Sequence, residues 1–351
     1  MRRLPLLAAA LIAATFVAAP AQARTPAQAR TPAHCSTHVL HVRLADGGPA
    51  AYRMWGELCY QGRTKPKTVQ LLIPGGTYNH TYWDFPYGGG VYSYVRAATS
   101  VGYATFNVDR IGSGYSTHPP YTDLTLAGEA TSMHDVVTAL RSGSVDGHAF
   151  RHVITAGHSF GSAVGVVEAV HYRDVDGVIS IGGGHAMSDA AGAILDATQE
   201  ANLDPKFAGL GYDGYLTTVP GVRGRLYHDS RTSTPGMNAL DEKLKDVHSS
   251  HDVPDILAYN LPATPADAIS RQLTVPTLVL VGGSDLTFCG AGAFDCSSSA
   301  TFRQGEGKYW PARHVSFGVI PKTGHSVQES TTEPEAAALM LAWTRTVVRP
   351  A

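Results

Sequence analysis

The feature that most constrains the fold of this chain is a serine at the centre of a Gly-x-Ser-x-Gly pentapeptide. Residues 157–161 read Gly-His-Ser-Phe-Gly, after an apolar segment and before a run of small, helix-compatible residues. This context is typical of a strained turn between a strand and a helix, which holds the serine hydroxyl out at the end of a sheet. A Gly-rich turn capped by serine is the simpler alternative, so the rest of the chain must decide whether Ser159 is a nucleophile.

Short apolar segments that end in Gly or in a polar residue recur along the chain. The segments predicted as strands are 69–73, 103–108, 152–156, 175–181, 276–281 and 315–320, and those predicted as helices include 91–100, 124–141 and 333–348. Strands that are apolar throughout and alternate with helices are typical of a parallel sheet covered on both faces. The sequence therefore predicts a mainly parallel, doubly wound α/β sheet.

Two departures from strand–helix alternation define the predicted domain organisation. Residues 38–44 and 50–59 alternate in polarity around an Asp-Gly-Gly turn, which predicts an N-terminal hairpin. Residues 185–273 are too many for an ordinary connection and are predicted as a largely helical cap, with helical pieces near 188–201 and 238–247. The core would then comprise residues 37–184 and 274–351.

The N-terminus has the pattern of a secretory signal peptide. Two arginines precede an apolar run, and Ala-Gln-Ala at 21–23 is a cleavage site, so we predict a signal peptide over 1–23 cut after Ala23, followed by a flexible segment over 24–36. Secretion fits the four cysteines, which are predicted to pair as Cys35–Cys59 and Cys289–Cys296. Neither a lipid anchor nor another membrane span is expected.

Charge and motif content exclude several classes of partner. The net charge is −2 with no basic cluster, which argues against nucleic acid binding. The 16 histidines include no His-Glu-x-x-His arrangement and the cysteines no Cys-x-x-Cys pair, so no metal site and no cofactor are predicted. The oligomeric state is left open.

An acid and a base follow two later strands. Asp285 comes after the strand 276–281, and His325 comes after the strand 315–320. Because a serine hydroxyl needs a base and the base needs an orienting acid, Ser159, His325 and Asp285 are predicted as a catalytic triad. Asp189 and Asp295 are rival acids, and His314 is a rival base that precedes its strand.

An oxyanion hole for a tetrahedral intermediate is predicted to form from the backbone N–H groups of Phe160 and Gly76. Thr77 is the alternative to Gly76. Predicted substrate contacts are Thr77, Tyr78, Trp83 and His158, although packing beneath the cap would equally explain the aromatic cluster after Thr77. His158 adjoins the nucleophile and is also compatible with local packing.

These motifs resemble the α/β-hydrolase superfamily, of the kind found as exported actinobacterial serine hydrolases. The resemblance covers about 69–348 and rests on Pro-Gly-Gly at 74–76, Asp-Arg-Ile-Gly-Ser-Gly at 109–114, the Ser159 pentapeptide, and the segments that carry Asp285 and His325. The chain departs from many relatives by having Pro74 where they have His. The resemblance implies the fold and the triad but is poorly specific for substrate.

We therefore expect a secreted serine hydrolase that cleaves small-molecule or polymeric carboxylic esters through an acyl-enzyme. An amidase or peptidase, or a lactonase, would use the same triad. A non-catalytic binding protein of this fold is disfavoured by the intact Ser, Asp and His set.

Overall fold

The computed structural model describes residues 33–349, so the predicted signal peptide and most of the predicted flexible segment lie outside the described residues. An eight-stranded sheet forms the centre. Its strands are β1 (His34–Val42), β2 (Tyr52–Tyr60), β3 (Thr68–Ile73), β4 (Ala104–Val108), β5 (His152–His158), β6 (Gly177–Ile181), β10 (Thr277–Gly282) and β11 (Val315–Ile320). Three further strands, β7 (Thr198–Glu200), β8 (Tyr215–Thr218) and β9 (His248–Ser249), form a separate small sheet.

The central sheet has the order β1-β2-β4-β3-β5-β6-β10-β11. Strand β2 pairs antiparallel with both of its neighbours, and every pairing from β4 to β11 is parallel. The carboxyl ends of β3, β5, β10 and β11 therefore meet at one edge, where open α/β sheets bind ligands. The predicted parallel sheet is confirmed.

Helices cover both faces of this sheet. The covering helices are α1 (Tyr94–Ser100), α2 (Leu126–Ser142), α3 (Phe160–Tyr172), α8 (Ser299–Glu306) and α9 (Glu333–Val347). The cap interval contains α4 (Gly192–Asp196), α5 (Arg223–Leu226), α6 (Pro235–Leu244) and α7 (Val253–Asn260). Successive residues of β3 pack on opposite faces: Leu71 joins the core under α2, α3 and α8, and Leu72 joins the core under α1 and α9. Among residues 33–349, no helix has the length and apolarity needed to cross a membrane.

The N-terminal hairpin is longer than its sequence pattern predicts. Strand β1 begins at His34, and Cys35 lies directly opposite Cys59 and is joined to it by a disulfide. Residues 34–36 therefore belong to the sheet rather than to the flexible segment predicted over 24–36. The cross-link and the pairing with β2 order residues whose local sequence contains no strong strand signal.

The cap interval 185–273 contains short helices and an unpredicted three-stranded antiparallel sheet, ordered β7-β8-β9. The helix predicted near 188–201 is shortened to α4, because the chain continues into β7 and pairs with β8. The helix predicted near 238–247 is α6, which begins three residues earlier because Thr234 caps it and Pro235 occupies its first turn.

Candidate functional site

Ser159 occupies the turn between β5 and α3 with a backbone conformation that side chains rarely adopt. Its φ is 51° and its ψ is −119°. A Cβ on Gly157 would lie 2.2 Å from the carbonyl oxygen of Gly161, and a Cβ on Gly161 would lie 2.4 Å from that of Pro74. Only glycine fits these two positions, because backbone atoms of neighbouring segments lie too close for a side chain. The two glycines of the pentapeptide are therefore required by the close backbone packing around Ser159.

Asp285 and His325 meet at the same edge of the sheet, in loops that follow β10 and β11. The Nδ1–H of His325 donates to Oδ2 of Asp285 at 2.9 Å, and the N–H of Thr287 donates to Oδ1 at 2.8 Å. Both side chains are almost fully buried. Because Asp285 holds the proton of His325 on Nδ1, the acceptor nitrogen left on the ring is Nε2.

The second predicted disulfide is present beside this pair. Cys289 and Cys296 are bonded, and the N–H of Cys289 donates to the main-chain oxygen of Asp285 at 3.0 Å. The cross-link therefore closes the loop that begins with Asp285.

The loop after β3 brings Gly76 beside Phe160, as required if their N–H groups are to converge on one oxygen. A Cβ built on Gly76 would lie 3.9 Å from the Cβ of Phe160 and 3.7 Å from the ring of His248. Within residues 33–349, neither the Gly76 N–H nor the Phe160 N–H has a hydrogen-bond acceptor. Two adjacent backbone donors are thus left for an anionic oxygen.

A buried arginine from the core fixes this loop from behind. Arg110 donates to the main-chain oxygens of Pro74 at 3.0 Å and Gly75 at 3.3 Å, and its guanidinium lies 4.6 Å from the centre of the Phe160 ring. Glu129 neutralises it at 2.7 and 2.5 Å. In a trans peptide the N–H points opposite to the C=O, so binding the Gly75 carbonyl turns the next N–H away from Arg110.

A second buried arginine reaches the same loop from the cap. Arg223 donates to Oγ1 of Thr77 at 2.9 Å and to Asp241 at 2.8 Å, and lies 4.2 Å from the centre of the Tyr78 ring. His228 also bonds Asp241, at 2.7 Å. Burial would raise the pKa of Asp241, but these two partners hold it below its usual value, so the Arg223–Asp241 pair stays charged.

A narrow cleft lies between core and cap and reaches Ser159. It offers about 130 Å³ to water-sized molecules. Ser159, His325, Gly76 and Phe160 are among the residues that line it. Its other walls are mostly apolar and include Met187, Ala191, Ile194, Leu195, Ile256 and Leu257 from the cap.

Comparison with known proteins assigns the family. The sequence model described as the alpha/beta hydrolase family matches residues 70–338. The chain belongs to this family. No curated protein matches the sequence significantly.

Several solved structures have a fold similar to most of this chain, although their sequences are only distantly similar. A thermophilic esterase from Thermogutta terrifontis is 16% identical with a TM-score of 0.60, covering 89% of this chain and 99% of its own. An esterase from Exiguobacterium antarcticum is 14% identical with a TM-score of 0.59, covering 88% and 98%. The epoxide hydrolase CorEH is 15% identical with a TM-score of 0.56, covering 89% and 99%. At these identities the neighbours show the fold alone, shared by different chemistries.

Of the four predicted substrate contacts, Thr77 and Tyr78 line the cleft, whereas Trp83 and His158 do not. Trp83 is fully buried, with its ring centre 5.3 Å from that of Tyr82. It packs behind the cleft because the aromatic run after β3 folds back onto the core.

His158 is also fully buried and supports the site instead of facing it. Its ring stacks on Tyr82 at 4.0 Å, and its Nε2–H donates to the main-chain oxygen of His325 at 3.1 Å. Burial, together with the nearby His325, lowers the pKa of His158 well below its usual value. A neutral His158 therefore anchors the backbone of the predicted base.

The rival residues do not join the site. Asp189, Asp295 and His314 are exposed, and His325 makes its carboxylate contact with Asp285. The positioning residues Arg223 and Asp241 were missed by sequence reasoning. They lie far from residue 77 in sequence, and no local motif marks the contact.

If the chain hydrolyses esters at Ser159, we expect Arg223→Gln to lower kcat about 10- to 100-fold with KM nearly unchanged. The loop that carries Gly76 would lose one anchor, and an oxyanion donor is worth 10²–10³ in kcat. Steady-state kinetics well below the unfolding temperature would measure this. Arg225→Gln, which changes an exposed arginine two residues away, is the matched control, and wild-type kcat in Arg223→Gln would contradict the positioning role.

Proposed function

We propose that this chain is a secreted serine hydrolase that cleaves neutral carboxylic esters through the triad Ser159, His325 and Asp285. The observation that carries the proposal is the convergence, in one cleft, of Ser159 on its strained turn and His325 bonded to Asp285. Membership of the alpha/beta hydrolase family and the esterase-like fold neighbours support a hydrolase.

In the proposed reaction, Nε2 of His325 takes the proton of the Ser159 hydroxyl as Oγ attacks the ester carbonyl carbon. The carbonyl oxygen becomes an oxyanion that accepts from the N–H groups of Phe160 and Gly76. His325 then protonates the leaving alkoxide, and the acyl group remains on Ser159. Water, deprotonated by His325, attacks the acyl-enzyme and releases the acid. Every step uses groups of the chain itself, so the reaction needs no cofactor.

Cleft chemistry favours an ester over an aminoacyl amide. Among the described residues that line the cleft there is no Asp, Glu, Lys or Arg. A substrate with a free ammonium group would need a carboxylate partner, because burying an unpaired charge is costly. A neutral ester with an apolar acyl group matches the walls formed by Ile194, Leu195 and Ile256.

Secretion is part of the proposal because structural disulfides are common in oxidising compartments and rare in the cytosol. The Cys35–Cys59 disulfide joins β1 to β2, and the Cys289–Cys296 disulfide closes the loop that follows Asp285. The N-terminal leader pattern is the sequence basis for the same proposal.

The test is hydrolysis of p-nitrophenyl esters of increasing acyl length beside aminoacyl p-nitroanilides. Each methylene buried against the apolar wall should raise kcat/KM about fourfold, from roughly 0.8 kcal/mol per CH₂, until the cleft is full. Beyond that length kcat/KM should fall. We expect the anilides to be the poorest substrates.

Two variants in and next to α7 test whether the cleft wall sets the preferred acyl length. Ile256→Ala should move the optimum to longer acyl groups because Ile256 lines the cleft. Leu261→Ala, just past the end of α7 and 51% exposed, should leave the optimum unchanged. Faster cleavage of the anilides than of every ester would replace the esterase with an amidase.

A further inference from the structure

A compact group of possible metal ligands lies on the face of the sheet covered by α2 and α3. His134 belongs to α2, Glu168 to α3, and Asp174 to the turn between α3 and β6. One ligand atom from each lies within 4.8 Å of the others, and Nδ1 of His134 is 2.7 Å from Oδ2 of Asp174. No role in the proposed hydrolysis falls to these residues.

Three of the four carboxylate oxygens in this cluster lack a hydrogen-bond donor among the described residues, and the fourth, Oδ2 of Asp174, is bonded to His134. Glu168 is fully buried, and neither of its oxygens has a hydrogen-bond donor within the described part of the chain. Oδ1 of Asp174 is likewise buried without a donor. Two carboxylates that face each other in this way need either a shared proton or a cation between them.

Arg141, whose positive charge acts on Glu168, is hydrogen-bonded elsewhere. The guanidinium of Arg141 donates to Oδ2 of Asp176 at 2.7 Å and to the main-chain oxygens of Asp174 and Arg151 at 2.8 Å each. The cluster also lies at the C-terminal end of α3, where the helix dipole adds negative potential. The local field therefore favours a bound positive ion.

We propose that His134, Glu168 and Asp174 bind a divalent transition-metal ion of the Zn²⁺ type. One imidazole nitrogen and two carboxylates form a ligand set suited to Zn²⁺, whereas Ca²⁺ prefers oxygen ligands alone. The side chains of His134 and Asp174 are 25% and 23% exposed, which gives the ion a path from solvent and room for a water ligand. The ring of His134 is held by stacking on Tyr172 at 3.8 Å.

The ion would act on stability rather than on chemistry. It would tie α2 to the far end of α3, the helix that begins next to Ser159. The ligands come from two helices and a turn, so their spacing in the sequence does not resemble a zinc motif.

The test is thermal unfolding and calorimetric titration of the chelator-treated protein with Zn²⁺ and with Ca²⁺. We expect one Zn²⁺ per chain whose binding raises the Tm by roughly 5 °C at a free concentration 100-fold above Kd. Ca²⁺ at the same concentration should raise it little.

Variants separate this site from the other histidines. Glu168→Gln, close in shape, and His134→Asn should each abolish the Zn²⁺-dependent rise in Tm. His171→Asn is the control. His171 is an exposed histidine of α3, the helix that carries Glu168, and it pairs with Asp46. Absence of the rise in the wild type, or its persistence in Glu168→Gln, would overturn the proposal and leave a shared proton between the carboxylates.

Discussion

Replacing Ser159 with alanine is expected to lower kcat for an activated ester by a factor of about 10⁴ to 10⁶. The substitution removes the hydroxyl that is proposed to attack the carbonyl and leaves the backbone turn in place. The two backbone donors and the apolar cleft would remain, so substrate binding should change little. Steady-state kinetics with p-nitrophenyl esters would measure kcat and KM separately.

Covalent labelling identifies the nucleophile independently. A fluorophosphonate should modify the folded wild-type protein at Ser159, as read by mass spectrometry of the peptide, and should not modify Ser159→Ala. Ser162→Ala is the matched control, because Ser162 is a buried serine one turn along α3 that bonds Ser180. Full turnover by Ser159→Ala would show that another residue attacks the ester.

Asp285→Asn is expected to lower kcat about 10⁴-fold near neutral pH. The amide has nearly the shape of the carboxylate and can still accept from the N–H of Thr287. It can also donate to Nδ1 of His325, which would place the imidazole proton on Nε2 and remove the base. The change should therefore appear in kcat, with little effect on KM.

The rival acid provides the comparison for this variant. Asp295→Asn changes an exposed aspartate that is not bonded to His325 and should leave kcat within about twofold, as expected for a surface substitution. If Asp285→Asn retained kcat within tenfold of the wild type, Asp285 would not be the orienting acid.

Sequence reasoning succeeded where local chemistry dictates local structure. The glycines around Ser159 are required by a backbone crossing, and apolar strands that end in polar residues place Asp285 and His325 at one edge of a parallel sheet. The order of strands along the chain was enough to bring these residues close. The same logic predicted that Gly76 and Phe160 would be neighbours.

Predictions from the sequence were wrong or missing where contacts between distant segments determine the structure. Strand β7 forms because it pairs with β8, which lies in a different part of the cap, and its residues alone suggested a helix. Arg223 reaches Thr77 across the core–cap boundary with no motif to mark it. Trp83 and His158 were predicted as substrate contacts from their positions beside the site, but neighbours along a chain can point into the core.

The order of the proposed catalytic residues along the chain has a consequence for how much of the chain the site requires. Ser159 is synthesised first, then the cap, then Asp285 after β10, and His325 only after β11. At about 5–20 residues per second, roughly ten to thirty seconds of translation separate the serine from the histidine. A shorter chain would carry the proposed attacking group without its base, so the proposed triad is complete only after β11 has joined the edge of the sheet.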